Sequence, residues 1–220
     1  ARGLQEANDQ TVPLVERLRF LGIFSNNLDE FFRVRVATLN RMIKFGKETK
    51  RFLEDKPSHI LQHIQHTVLD QQKEFERIYL DILQQLKKEK IVIVNEKQLT
   101  KVQKEFVENY FNEKVRTNIA PLMIESIPEL PLLHDKSIYL ACTLSNSANS
   151  FMNSYALIEV PTQVLPRFII LPNNKGFNNI ILLEDIIRFC LPKLFNQFGF
   201  NTFEGYIIKV TRDAELDIDN

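Results

Sequence analysis

Hydrophobic positions in the first part of the chain recur at the spacing of amphipathic helices. Leu14, Leu18 and Leu21 predict a helix that starts after Pro13, since the missing N–H of proline does no harm in a first turn. A much longer helix is predicted from Pro57 to about Lys90, because one apolar stripe continues through that whole range. Its members are Ile60, Ile64, Val68, Phe75, Ile78, Ile82 and Leu86.

A polar stretch, Ser25-Asn26-Asn27, interrupts the first stripe shortly after Gly22. We predict that the first helix ends near Gly22 and that a tight turn leads to a second helix beginning at Leu28. Asn26 or Asn27 is then the expected N-cap. The free backbone N–H groups of such a helix start suit either a phosphate or an acidic side chain, and the residues themselves leave both open.

Arg35 lies seven residues after Leu28, so a regular helix would place it on the same apolar face. It could bury its stem and pair with a carboxylate, or direct its guanidinium at a bound phosphate. Between residues 33 and 56 there are eight basic residues against three acidic ones. This run is either a solvated face or the border of a polyanion path, in which Lys44 and Lys47 would contact phosphate.

Three histidines of the long helix, His59, His63 and His66, have a spacing that could bind a metal ion. They face away from the core stripe, and we find no cysteine or carboxylate on the same turns that would complete a site. We therefore expect a solvated polar face and no metal. The two cysteines, Cys142 and Cys190, lie outside any metal-binding spacing and are expected to be buried thiols of a reduced protein.

The pattern changes in the second part of the chain. A helix is predicted from about Leu99 to Ile119, after which Pro121, Pro128 and Pro131 prevent its continuation. Strand-like segments follow at Ser137–Leu144, Tyr155–Val160, Phe168–Leu171 and Tyr206–Thr211, with one helix at Leu183–Leu191 between them. The predicted fold class is α+β, with a helical N-terminal domain at 1–97 and a mixed α+β domain at 98–220.

Composition limits the classes of function. With 44% hydrophobic and 25% charged residues, the chain has the usual mixture of a globular protein with a sizeable core. Its net charge is zero, so no overall field attracts nucleic acid. We also expect no membrane-spanning segment. The sequence opens at Ala1 within a helical pattern and closes at Asn220 without stop signals, so we expect it to be part of a longer protein.

Four stretches resemble, in the same order, motifs of the bacterial polyphosphate kinases. The first joins Pro13–Leu21 to Ser25–Arg35. The others are Tyr155–Pro161 with Leu165–Phe168, then Leu183–Arg188, then Thr211–Asp217. Because these matches extend over nearly the whole chain, they are far more specific than one short motif. The chain is identified as similar to the N-terminal and head domains of that family.

The resemblance implies an enzyme that reversibly transfers the terminal phosphate of ATP to polyphosphate, through a phosphohistidine and with magnesium. It implies a helical N-terminal domain, a head domain used for dimerisation and two C-terminal catalytic domains. Asn27 matches the family's ATP-contacting position near the adenine. The expected partners are ATP or ADP, polyphosphate and further copies of the chain, in the cytoplasm or at the periphery of a membrane.

The catalytic histidine and magnesium ligands of the family belong to its C-terminal domains, and none of the four histidines here matches them. We therefore expect no catalytic residue and no metal ligand in this chain, and no kinase activity from the chain alone. An alternative is a non-enzymatic helical and α+β module that binds a protein partner or a polyanion.

The basic run generates a first prediction. In the longer enzyme that the resemblance implies, Lys44→Glu with Lys47→Glu should lower polyphosphate affinity and flatten its dependence on salt, because two cations leave the proposed anion path. The measurement is polyphosphate binding over a range of salt concentrations. Unchanged affinity and salt dependence would contradict a polyanion path along these residues.

Overall fold

The structure, a computed structural model, describes residues 2–45, 56–126, 133–147 and 149–214. They divide into two compact units. A helical unit lies within residues 1–89 and also includes the segment that begins at Thr211, whereas an α+β unit comprises Lys90–Val210. The predicted fold class, a helical N-terminal region followed by a mixed α+β region, is confirmed.

The helical unit is built from four α-helices around one small core. Helix α1 spans Arg2–Asn8, α2 spans Leu14–Phe31, α3 spans Ala37–Phe45 and α4 spans Pro57–Lys88, with a π-helical turn at Phe32–Val36 between α2 and α3. The long predicted helix is thus confirmed as α4. The core cluster brings together α1, α2 and α4 through the buried side chains of Leu4, Ala7, Leu21, Phe24, Ile78 and Ile82.

The predicted turn at Ser25-Asn26-Asn27 is wrong, because α2 continues through it to Phe31. Relative to alanine, glycine in a helix interior costs about 1 kcal/mol and serine or asparagine up to about 0.7 kcal/mol, so these residues together cost roughly 3 kcal/mol. Burying one leucine or phenylalanine contributes about 1.5–3 kcal/mol. The buried side chains of Leu21 and Phe24 therefore outweigh the local preference for a turn. Asn27 is consequently not an N-cap.

The π-helical turn changes the direction of Arg35. The sequence places Arg35 on the apolar face, but in the structure Arg35 is exposed and the next residue, Val36, is 5% exposed. A π turn closes i→i+5 hydrogen bonds and so accommodates one residue more than an α turn. Val36 therefore takes the core-facing place that Arg35 would occupy in a regular helix.

One arginine is nevertheless buried in the helical unit. The side chain of Arg17, on α2, is 1% exposed. Its Nε donates to the backbone oxygen of Ala7 in α1 at 2.7 Å, and its Nη2 donates to Asp81 Oδ2 in α4 at 2.8 Å. Its Nη1 donates to Gln10 Oε1 at 3.2 Å. The hydrogen bond from Arg17, followed by that from Gln10, lowers the pKa of Asp81.

The α+β unit contains two sheets. Strands β1 (Ile91–Val94), β6 (Asn178–Leu182) and β5 (Phe168–Ile170) form one sheet in the order β1-β6-β5, with β1 parallel to β6. Strands β2 (Leu122–Met123), β4 (Asn149–Glu159), β3 (Ile138–Asn146) and β7 (Thr202–Lys209) form an antiparallel sheet in the order β2-β4-β3-β7.

Helices complete this unit. Helix α5 spans Lys101–Tyr110 and continues through a π turn, Phe111–Val115, into a 3-10 turn at Arg116–Asn118. Helices α6 (Leu183–Phe189) and α7 (Leu191–Phe195) follow β6 directly, with Pro192 in the first turn of α7. The four predicted strands and both predicted helices are thus present in the unit, whereas β1, β2 and β6 were not among the predicted strands.

Both cysteines lie in the core that the sheets and helices of this unit share. Cys142 of β3 and Cys190, which follows α6, are free and buried. Burial raises the pKa of each thiol to about 12. Because the thiolate is the reactive form of cysteine, both residues act as small apolar groups at neutral pH.

The buried arginine generates a second prediction. Arg17→Met should lower the free energy of unfolding of the helical unit by about 3 kcal/mol, because it leaves Asp81 and the Ala7 carbonyl without their donor. The matched control is Arg19→Met, since Arg19 lies on the same helix with 72% of its side chain exposed. The measurement is urea unfolding followed by amide hydrogen exchange in α1, α2 and α4.

The same pair predicts a pH dependence. Because Arg17 lowers the pKa of Asp81 in the folded state, the pair stabilises the fold above the ordinary aspartate pKa. That contribution is lost as the pH falls through the lowered pKa. Asp81→Asn should remove this part of the acid sensitivity, and an Arg17→Met protein as stable as the Arg19→Met control would contradict the role of the pair.

Candidate functional site

A cavity of about 860 Å³ lies in the helical unit, where α1, α2 and α4 meet. Its walls come from segments that are far apart in sequence. Helix α1 contributes Arg2, Gly3 and Glu6; α2 contributes Phe20, Ile23, Phe24, Asn27, Leu28 and Phe31; and α4 contributes His63, Ile64, Thr67, Val68 and Gln71. Its volume falls in the range of pockets that hold small organic ligands.

Asn27 is an exposed side chain in the α2 wall of this cavity. It lies four turns into the helix and not at its N-terminus, so the backbone N–H groups around it are committed to the helix. The free helix start predicted at this place, for which a phosphate and an acidic side chain were both open, is therefore absent. What Asn27 offers is its side-chain amide, which has donors and an acceptor and makes no hydrogen bond with another described residue.

The surroundings of Asn27 are mostly apolar and aromatic. Phe20, Phe24 and Phe31 line the same wall, and Ile23 and Phe31 are among the exposed large hydrophobic residues of the chain. The ring of Phe24 packs against that of Phe75 in α4, with ring centroids 6.0 Å apart. An apolar surface with few polar groups is the usual setting for a flat organic ring, whose orientation the polar groups then select.

The α4 wall was not foreseen from the sequence. His63, Thr67 and Gln71 follow one another at intervals of four residues, so they form one line along the helix. We predicted a solvated face for His63, and the side chain is indeed exposed, but it also lines the cavity. The signal that could have indicated this was its position directly before Ile64 of the apolar stripe.

The other predicted phosphate contacts do not line this cavity. Arg35 and Lys44 are exposed, at the π turn and in α3 respectively, and neither is part of the cavity wall. Lys47 lies outside the described residues. A charged pair does lie at the α1 side, where Arg2 Nε is 3.9 Å from Glu6 Oε1.

The histidines on α4 do not form part of a metal-binding group among the described residues. His66 Nδ1 lies 3.2 Å from Asp70 Oδ2, on an exposed face. Within residues 2–45, 56–126, 133–147 and 149–214, no three His, Cys, Asp or Glu side chains form a group that could hold a metal ion. The described residues thus do not fit a magnesium site.

The charged residues of the later motifs pair with one another. Arg167 Nη2 and Nε donate to Glu184 Oε1 at 2.6 and 3.1 Å, and Glu184 is nearly fully buried. Arg188 pairs with Asp185 and with Glu96, and its Nε donates to the Gly205 carbonyl at 2.9 Å. Burial raises the pKa of Asp185.

The described residues of the last motif, 211–214, belong to the helical unit. Asp213 Oδ2 accepts a hydrogen bond from Arg41 Nη1 at 2.6 Å, and the Ala214 N–H donates to the Arg33 carbonyl. Together with the pairs in the α+β unit, these contacts give the later motifs a structural role. Among the described helices, none has the length and apolar character needed to cross a membrane.

Comparison with known proteins identifies relatives for both parts of the chain. The polyphosphate kinase N-terminal domain matches residues 1–94, and the polyphosphate kinase middle domain matches residues 102–220. The polyphosphate kinase of Vibrio cholerae serotype O1 is 43% identical over 221 residues, which is 99% of this chain and 31% of the relative. That of Escherichia coli K12 is 38% identical, with the same coverage of both chains.

A solved structure is similar as well. The crystal structure of polyphosphate kinase from Porphyromonas gingivalis matches with a TM-score of 0.85 and 34% sequence identity. The match covers 99% of this chain and 32% of that one. This chain therefore spans about a third of the length of the relatives it matches.

Proposed function

Because the chain belongs to the polyphosphate kinase family, we propose that it forms the nucleotide-contacting and dimerising parts of an enzyme working in the cytoplasm. The reaction we propose for the whole enzyme is the reversible transfer of the terminal phosphate of ATP to polyphosphate. The observation that supports a nucleotide contact is the position of Asn27, whose amide lies in the wall of an aromatic cavity of ligand size.

The proposed ligand at this cavity is the adenine base. Adenine presents a hydrogen-bond donor and acceptors on its edge, which the donor and acceptor of a side-chain amide can match. The apolar side chains of Ile23 and Phe31 lie on the same wall and would cover a face of the ring. Stacking of a base on aromatic groups contributes about 1–3 kcal/mol.

Phosphoryl transfer requires more than this cavity provides. It needs an in-line arrangement of donor and acceptor, with cations that stabilise the charge on the transferred group. We propose that this chain binds and orients the nucleotide, and that it transfers no phosphate when isolated. Lys44 and Lys47 remain proposed contacts of the polyphosphate chain.

The nucleotide site generates a third prediction. Asn27→Ala should weaken adenosine and ATP binding about five- to tenfold, because it removes a hydrogen-bond pair worth about 1 kcal/mol. Tripolyphosphate, which has no base, should bind unchanged. The measurement is a titration of the 220-residue chain followed by NMR, which detects weak binding and reports chemical-shift changes at the cavity residues.

Asn26→Ala is the matched control, since Asn26 is the same residue type, exposed on the same helix and not part of the cavity wall. If Asn27→Ala bound adenosine as the unaltered chain and Asn26→Ala do, the base would not lie at Asn27. Loss of tripolyphosphate binding to the same extent would instead indicate a general effect on the helical unit.

For dimerisation, we propose the open face of the antiparallel sheet in the α+β unit. Leu140, Cys142 and Leu144 of β3 point into the core, so the alternate residues Ala141 and Thr143 point to the opposite face. Tyr206 of β7 lies opposite Ala141, and Tyr155 of β4 lies opposite Thr143.

The two tyrosines are well exposed on that face, at 60% for Tyr206 and 47% for Tyr155. Tyrosine is enriched in the centres of protein interfaces. Strand β7 is also an edge of this sheet among the described strands, and edge strands offer backbone groups to a further strand. A second copy of the chain is the proposed occupant, in keeping with the head-domain role that the resemblance implies.

This surface generates a fourth prediction. Tyr206→Glu should raise the dimer dissociation constant at least tenfold, because it removes the tyrosine ring and adds a second carboxylate beside Glu204, which accepts a hydrogen bond from the Tyr206 hydroxyl. Sedimentation equilibrium of the chain measures it. Leu80→Glu is the control, since Leu80 is 53% exposed but belongs to α4 of the helical unit. A chain that sediments as a monomer at high concentration would contradict the proposal.

A further inference from the structure

We propose that Arg35 contacts the phosphates of the nucleotide whose base lies at Asn27, and that the π-helical turn at Phe32–Val36 is what directs it there. This inference rests on the proposed nucleotide site and adds a binding residue to it. One continuous helical segment would then contact both ends of the ligand. Its amide would bind the base, and its guanidinium would bind the phosphates.

Helix α2 has one line of residues along the cavity and another along the core. Its cavity-lining residues Phe20, Phe24, Asn27 and Phe31 recur at intervals of four, three and four, so they form one line along the helix. The core-facing line lies beside it and includes Arg17 and Leu21, which pack toward α1 and α4, and Leu28, which lies at the boundary and also lines the cavity. Position 35 follows both Phe31 and Leu28, and the helix geometry determines which line it joins.

In a regular α-helix position 35 would join the core line. Seven residues at about 100° each make nearly two full turns, so Arg35 would lie almost above Leu28. The π turn contains one residue more than an α turn, so the residues after it are shifted by up to one position around the helix axis. The burial of the two neighbours agrees with this shift, since Val36 is buried and Arg35 is exposed. We infer from it that Arg35 is rotated back toward the line of Phe31 and Asn27.

The separation of Asn27 and Arg35 matches the length of a nucleoside triphosphate. Eight residues separate Asn27 from Arg35, which corresponds to about 12 Å along the helix axis at 1.5 Å per residue. A nucleoside triphosphate in an extended conformation has its ribose between base and phosphates and can span this separation. The long arginine side chain adds reach, and its planar fork matches two phosphate oxygens at once.

Arg35 differs from other arginines of this unit in its lack of an ion pair with a described carboxylate. Arg17, Arg41 and Arg77 form ion pairs with Asp81, Asp213 and Glu74 respectively. Among the described residues, Arg35 has no such carboxylate partner. Its charge therefore does not serve an ion pair within the described part of the helical unit, and π turns are frequent at functional sites.

The test compares ligands that differ only in phosphate content. Arg35→Gln should leave adenosine affinity unchanged and weaken ATP affinity about tenfold, because a charge-assisted hydrogen bond to phosphate is lost. Tripolyphosphate should weaken with ATP. Arg35→Lys should give an intermediate loss, since it keeps the charge but not the fork. The affinities come from NMR titration of the 220-residue chain at constant ionic strength.

Two controls isolate the position of the charge. Arg19→Gln removes an exposed arginine eight residues before Asn27 on the same helix, outside the cavity wall, and should leave ATP binding unchanged. The double variant Val34→Arg with Arg35→Gln keeps the net charge but moves the arginine by one residue. Val34 is partly exposed, so the change is tolerated, and ATP affinity should stay low.

Each contrary outcome has a distinct meaning. ATP binding by Arg35→Gln equal to that of the unaltered chain would overturn the inference, and so would recovery of ATP affinity in the double variant. An equal loss of adenosine and ATP would show a structural effect and would overturn it too. Indifference of adenosine to Asn27→Ala would instead refute the proposed base site, and with it the idea that one ligand joins both residues.

Discussion

The buried guanidinium of Arg17 is the contact on which the helical unit depends most. It holds the carbonyl end of α1 and a carboxylate of α4 at the same time, from a position in the middle of the apolar stripe of α2. Because a buried charge without partners is costly, only arrangements that bring all three helices together satisfy it. Those are the three helices that form the cavity, so the same contact that orders the unit also shapes its candidate site.

The charged residues of the family-like motifs act in a similar way in both units. Arg167 with Glu184, Arg188 with Asp185, and Arg41 with Asp213 each join segments or turns that the backbone alone would not fix. These charged residues of the motifs therefore serve the assembly of the fold. The side chains proposed for ligand contact are fewer, and are an asparagine, a line of polar residues on α4 and an arginine beside a π turn.

Prediction from sequence succeeded where local signals and burial agree. The stripe of α4 repeats over about seven turns, and the strands β3, β4 and β7 are β-branched and aromatic segments, so their elements were found. It failed at Ser25-Asn26-Asn27, where local turn preference opposes the burial of Leu21 and Phe24. It also missed β6, because a five-residue strand beside a helix gives no periodicity of its own.

By itself the sequence determined the α+β class and the long helix, and through resemblance to a family it made Asn27 the candidate ligand contact. Only the tertiary structure decided that Asn27 lies within a helix, that His63 lines the same cavity, and that Val36 is buried where Arg35 is exposed. The physical reason is that helix and strand periodicity is set by neighbours along the chain. Whether a helix continues, and which way a residue beyond an extra π turn points, depends instead on burial against segments distant in sequence.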